Sequence, residues 1–195
     1  MVIVHLLEKC FKKCILYMLQ CFGAPGGGLM CPTFGAEPRF GTHPMAWAAP
    51  GGKNEANFLF DVATSQVAGN KIRLAARLGV PLAKCWITDK NGKVIENELE
   101  TVPEKFYMTP MGGTRENSSH KGYGLACVID ILCNTISGIG AGFLTGGGGL
   151  LFQAYDIASF CEISVSKALG RKLSTDEIKH RIGIFVLLLM QIKSR

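Results

Sequence analysis

Between Pro32 and Leu144 the chain sets out three blocks in a fixed order. Short apolar runs broken by Gly and Pro, followed by one long helical run, confine it to a layered fold of strands and helices. The first block, PTFGAEPRFGTHPMAWAAPGG (Pro32 to Gly52), is a loop that runs into a short buried strand at Met45 to Ala49. The second, FLFDVATSQVAGNKI (Phe58 to Ile72), predicts a strand over Asn57 to Val62 with Asp61 at its end. The third, SHKGYGLACVIDILCNTISGIGAGFL (Ser119 to Leu144), carries Leu125, Val128, Ile129, Leu132 and Ile136 at helical spacing. A helix is therefore expected over Lys121 to Ile139. Its other faces are apolar too, so it should be mostly buried.

Smaller signals fill in the rest. Lys71 to Leu78 is helical in period, and Gly79 is a natural stop. Asp89-Lys90-Asn91-Gly92 predicts a turn between extended pieces at Trp86 to Thr88 and Val94 to Ile95; Asn-Gly suits a type I′ turn, whose two central residues need positive φ. Gly51 to Ala56 reads as a hairpin-like link and Leu150 to Tyr155 as a strand. Ser174 to Glu177 is a capping box opening a last helix. Strand order does not follow from periodicity. The fold class expected is α/β or α+β, a mixed sheet packed with helices.

Residues 1–22 look foreign to the rest of the chain. Ile3, Leu7, Cys10, Cys14, Met18 and Cys21 share one helical stripe, interrupted by Lys9, Lys12 and Lys13. An accessory helix over 1–22 is expected, with one domain over 23–195; targeting or membrane attachment is the alternative. The apolar run here and the seven apolar residues from Ile184 to Met190 are shorter than the roughly 20 residues that span a bilayer. The net charge of +6 is dispersed. It suits anionic small molecules and argues against nucleic acid. None of the eight cysteines forms a C-x-x-C pair or a zinc spacing, so no metal is expected, and the thiols read as reduced and cytoplasmic.

Three motifs carry chemistry. Gly41-Thr42-His43-Pro44 at a strand entry is either a rigid turn or a cradle whose N–H groups and side-chain donors hold a carboxylate or ribose. Asp61-Val62-Ala63-Thr64-Ser65 offers an acid and two hydroxyls to a ribose or carboxamide; alternatively Thr64 or Ser65 caps the next helix. In His120-Lys121-Gly122-Tyr123-Gly124, Lys121 stands at a helix N-terminus among glycines. There the helix dipole and free N–H groups favour an anion; a plain exposed Lys is the alternative. Asp130 lies in a hydrophobic helix and needs a hydrogen-bonded partner.

In order and spacing, the three blocks resemble the malate/L-lactate dehydrogenase family, which lacks the usual Rossmann fold and includes sulfolactate and ureidoglycolate dehydrogenases and diketogulonate reductase. The resemblance covers about the middle two thirds of the chain. It implies hydride transfer between NAD or NADP and a 2-hydroxy or 2-oxo acid, with Asp61, Thr64, Ser65, His120 and Lys121 at the cofactor and Thr42 and His43 in a substrate or cofactor loop. It also implies a homodimer for the complete protein. Where the family has Gly-Thr-Asn-Pro this chain has His43, and Thr114 to Ser119 are extra residues beside the site. The family's Ser-His-Gly segment, which carries its acid/base, does not occur here, nor does its Pro-Gly-x-Glu segment. The catalytic residue is thus unassigned, and an N-terminally truncated chain with impaired turnover is expected. The alternative is an inactive remnant that binds nucleotide or pairs with a full-length subunit.

Overall fold

The computed structural model describes residues 17–49 and 57–156, divided between two compact units. The expected links and helices at 50–56 and 174–177, and the first 16 residues, lie outside this description.

A four-stranded sheet supplies the described part of the first unit. Its strands are β1 (Tyr17–Ala24), β2 (Met45–Ala49), β3 (Phe58–Val62) and β6 (Gly149–Asp156), in the order β3-β2-β1-β6. Three of the four match runs read from sequence. The fourth is a correction: the stripe over residues 1–22 ends in strand β1, not in helix. The pattern was ambiguous because Met18 and Cys21 fit a helical period while Gln20 and Cys21 are both buried, as happens when a strand is covered on both faces. In β3, Phe58 and Phe60 stack with centroids 6.4 Å apart, as residues two apart on one face of a strand should.

The second unit, residues 22–45 and 62–151, holds the core. Helix α1 (Gly69–Leu78) buries Ile72 and Ala75. It ends where Gly79 adopts φ 63° and Val80 N–H reaches the Ala75 carbonyl at 3.1 Å, a Schellman closure that glycine makes without a Cβ penalty. Two-residue strands β4 (Ile87–Thr88) and β5 (Tyr107–Met108) pair antiparallel. Their side chains join Met30, Phe40, Val67, Leu82 and Ala126 in one apolar cluster. The Asp89–Gly92 turn forms, but not as type I′. Gly92 has φ 79° while Asn91 does not take positive φ, and the Asp89 carboxylate accepts from Asn91 N–H at 2.8 Å and Lys93 N–H at 2.9 Å. That Asx clasp satisfies the turn amides without a second left-handed residue.

Helix α2 (Ser119–Asp130) continues as a π-helical turn over Ile131–Thr135, where Ile136 N–H bonds to the Ile131 carbonyl five residues back at 2.9 Å. The regular helix is thus shorter than its apolar period implied. The expectation of near-complete burial also fails: Ala126 and Ile129 are fully buried, but Val128 is 51% exposed, Ile131 50% and Ile136 71%. One face meets the core, and among the described residues nothing covers the other. A four-residue helix, α3 (Gly142–Thr145), comes next. No helix among the described residues is long and apolar enough to cross a membrane.

Gly122 and Gly124 separate close packing from propensity. A Cβ at Gly122 would sit 2.4 Å from the Met111 carbonyl oxygen, whereas one at Gly124 meets nothing within 4 Å. Gly122→Ala should therefore cost about 2 kcal/mol as overpacking against backbone, and Gly124→Ala should gain up to about 1 kcal/mol from helix propensity. Urea denaturation of both variants measures the contrast; equal effects would show that α2 does not seat on Met111.

Candidate functional site

The N-terminal end of α2 opens onto a cleft of ≈ 380 Å³ lined by Met111, Gly112, Asn117, Ser118, Lys121 and Gly122. That volume is at the small end for a ligand site. It suits the anionic part of a ligand rather than a whole dinucleotide. No acidic residue stands in the first turn of α2, and Ser118, at φ 64°, makes no side-chain cap. The positive end of the helix dipole therefore has no negative counterpart of its own. Lys121 is exposed and makes no ion pair among the described residues. Cation, dipole and free volume coincide, a combination that binds anions. His120 is exposed beside Lys121 and does not line the cleft.

The extra residues Thr114 to Ser119 form a wall of this cleft. They fold tightly: Ser118 N–H bonds to the Arg115 carbonyl and Ser119 N–H to the Thr114 carbonyl, each at 2.9 Å, and Asn117 N–H reaches Thr114 Oγ1 at 3.2 Å. Ser119 Oγ lies 3.0 Å from Thr33 Oγ1. The sequence placed this insertion beside the site, and it contributes Asn117 and Ser118 to the cleft directly.

Thr64 and Ser65 support the opposite wall from behind. Both are buried, at 0% and 6% exposure. Thr64 donates its N–H and its hydroxyl to the Thr42 carbonyl, at 2.9 and 3.0 Å, and its own carbonyl accepts Met111 N–H at 2.7 Å. Gln66 Oε1 accepts Gly112 N–H at 2.8 Å. Ser65 Oγ donates to the Val67 carbonyl at 2.8 Å. Neither hydroxyl caps α1, whose N-cap is Ala68 with no side-chain bond, so the capping alternative falls. The Thr64 and Lys121 segments meet at Met111. Lys71 is exposed and lies over the Trp86 ring at 4.9 Å. Asp61 is an exposed residue of β3 in the other unit.

His43 does something the motif did not announce. It is 1% exposed, with φ 37°, and its Nε2 lies 3.3 Å from Asp130 Oδ1. Asp130, itself 3% exposed, also accepts Asn134 Nδ2 at 2.8 Å, and Gly142 N–H stands 3.4 Å from each of its oxygens. The partner that Asp130 needed is therefore a set of three. Nε2 carries the hydrogen if it donates to Asp130, which leaves Nδ1 as a buried acceptor with no partner. Burial pushes the imidazole below its ordinary 6.5; the hydrogen bond and charge of Asp130, and the Gly41 backbone, oppose this less strongly. No residue pattern flagged Asn134, Met111 or Gly112, because their roles come from backbone proximity alone.

Among known proteins, a sequence profile of the malate/L-lactate dehydrogenase family matches residues 14–176, beginning inside the segment that reads as foreign. The malate dehydrogenase of Pyrococcus horikoshii is 38% identical over 111 residues, which cover 56% of this chain and 30% of that protein. The Delta(1)-pyrroline-2-carboxylate reductase of Pseudomonas fluorescens is 34% identical over 116 residues, 58% of this chain and 31% of that one. The crystal structure of malate dehydrogenase from Entamoeba histolytica aligns with a TM-score of 0.69 at 25% identity, covering 89% of this chain and 48% of that one. The chain thus spans about half the length of the solved relative and matches about a third of each curated one.

A depressed folded-state value means that the unfolded chain takes up the His43 proton first, so stability is present above about pH 6.5 and is lost as pH falls below it. Urea midpoints should decline from about pH 7 to about pH 5.5, and His43→Asn, which cannot titrate there, should flatten the slope. A wild-type midpoint constant across that range would contradict the buried, neutral imidazole.

Proposed function

The chain belongs to the malate/L-lactate dehydrogenase family, and from that premise we propose that it binds NAD or NADP through the cleft at Lys121, in the service of hydride transfer between the nicotinamide and a 2-hydroxy or 2-oxo acid. One observation carries this reading: a Lys with no ion pair among the described residues, at a helix N-terminus without a side-chain cap, faces free volume beside the segment that the resemblance assigns to the cofactor. Lys121 would neutralise a phosphate of the nucleotide, with the positive end of the α2 dipole beside it. Asn117 and Ser118 add polar groups at the same opening. Thr64 and Ser65 act from behind by fixing Met111 and Gly112. Thr42 belongs to this support as well, since its carbonyl anchors Thr64. The cofactor, when bound, supplies the hydride chemistry; the described residues of this chain bind and orient it.

A second reading is a nucleotide-binding chain without turnover of its own. Hydride transfer to a keto acid needs a group that moves the substrate proton, and the cleft at Lys121 is lined by no His, Asp or Glu. A homodimer, expected by resemblance, would suit the exposed apolar face of α2.

Calorimetric titration with NAD and with NADP tests the first reading. Lys121→Ala should weaken the better-bound nucleotide about tenfold, the loss of roughly 1.4 kcal/mol for one charge-assisted contact. Unchanged affinity would sink the assignment. Malate and lactate oxidation assays separate the two readings: negligible turnover with intact nucleotide binding favours the second, and robust turnover excludes it.

A further inference from the structure

We propose that His43 and Asp130 are a positioning pair for the Lys121 cleft, closing a ring of contacts that holds the two walls of that cleft in register. This rests on the reading that the cleft takes a nicotinamide nucleotide. The ring begins on α2. Lys121 and Asp130 stand nine residues apart on that one helix, about 13 Å at 1.5 Å per residue. From the far end, Asp130 reaches His43 Nε2. His43 is chain-adjacent to Thr42, whose carbonyl takes both the N–H and the hydroxyl of Thr64. The Thr64 carbonyl takes Met111 N–H. Met111 touches Gly122, one residue from Lys121, so closely that no Cβ fits between them. Every link except His43–Asp130 is backbone-anchored or covalent. The pair is the one link made by side chains alone, so it is the one that a substitution removes directly.

Two features mark this link as more than a packing contact. His43 holds a left-handed φ of 37°, a region that non-glycine residues enter at a cost; the bond to Asp130 helps to hold it there. The titratable groups that face the pair are also silent near neutrality. Tyr123, Cys127 and Cys133 all feel the Asp130 charge, and burial raises all three, Tyr123 to about 12. The group in the ring that titrates nearest to neutrality is His43, which burial holds below its ordinary 6.5. A second proton on the imidazole would go to Nδ1, which makes no hydrogen bond among the described residues.

Calorimetric titration of the full chain with NAD and NADP tests the pair, using His43→Ala, His43→Asn and Asp130→Asn, with circular dichroism to confirm folding. His43→Ala and Asp130→Asn should each weaken binding about fivefold at about pH 7.5, in the range for residues that couple to a site without touching its ligand. Asparagine tolerates left-handed backbone and keeps an N–H donor. His43→Asn should therefore bind nearly as wild type, and should lose the weakening that wild type shows once acid protonates the imidazole below its ordinary 6.5. Folded His43→Ala and Asp130→Asn proteins with wild-type affinity, or a His43→Asn protein that keeps the wild-type pH response, would overturn the pair while leaving the Lys121 reading intact. Failure of wild type to bind either nucleotide would overturn both. Should Asp130→Asn not fold, the two His43 variants decide between these outcomes.

Discussion

A carboxyl group buried in an apolar helix is the constraint around which the second unit is organised. Asp130 is almost wholly shielded from water, and an unsatisfied acid in that setting costs several kcal/mol (~2–7 for a neutral polar group, more if charged). Three segments bring donors to it, one of them far away in sequence: the Gly41–Pro44 loop through His43, the π-helical turn through Asn134, and the start of α3 through Gly142. Asn134 then spends its own carbonyl oxygen on Gly149 N–H at 2.7 Å, which fixes the entry to β6. Glycines at 142 and 149 are required because any Cβ there would strike Asn134 or the Cys133 carbonyl. The polar knot thus sets the path of the chain over more than a hundred residues.

Helix α2 links that knot to the cleft. Its C-terminal end is held by polar bonds, its middle by Ala126 and Ile129 in the core, and its start by Gly122 against Met111. Above Gly122 the N-terminus is left open, with Lys121 beside it. Phe40 ties the two regions together, stacking on Tyr123 at 5.1 Å and lying 4.8 Å from the His43 ring. Rigidity at one end and free volume at the other are what an anion-binding helix needs: the amides must be fixed in place before the ligand arrives. The solvent-facing stripe of Val128, Ile131 and Ile136 is the counterpart of this arrangement. One side of α2 is fully engaged, and no described residue packs over the other.

Much of the fold was legible because it is local. The strands at Met45–Ala49 and Phe58–Val62, helix α1 with its glycine stop, and β6 all follow from periodicity and punctuation that need no tertiary partner. The misreadings share one cause. An apolar helix face does not say whether anything covers it, so the expected burial of Val128 and Ile131 did not follow. Asn-Gly does not say which turn it makes when an Asp two residues before the Asn can clasp the amides instead. Ser65 fits a cap by composition, but its hydroxyl found the Val67 carbonyl within its own turn. The stripe through Met18 and Cys21 fitted a helix because strand and helix periods coincide over short apolar runs.

The order and spacing of residue types alone determined the family: three blocks, from Pro32 to Leu144, that match the malate/L-lactate dehydrogenases. They also determined that Asp130 would need partners, because desolvation penalises any buried acid whatever the fold. Only the tertiary structure decided who those partners are, and that Thr64 works behind the cleft through Met111 rather than at its surface. Hydrogen bonds and close backbone approaches join residues up to 110 positions apart. Distance in space is set by packing of the whole unit, and no stretch of sequence encodes it alone.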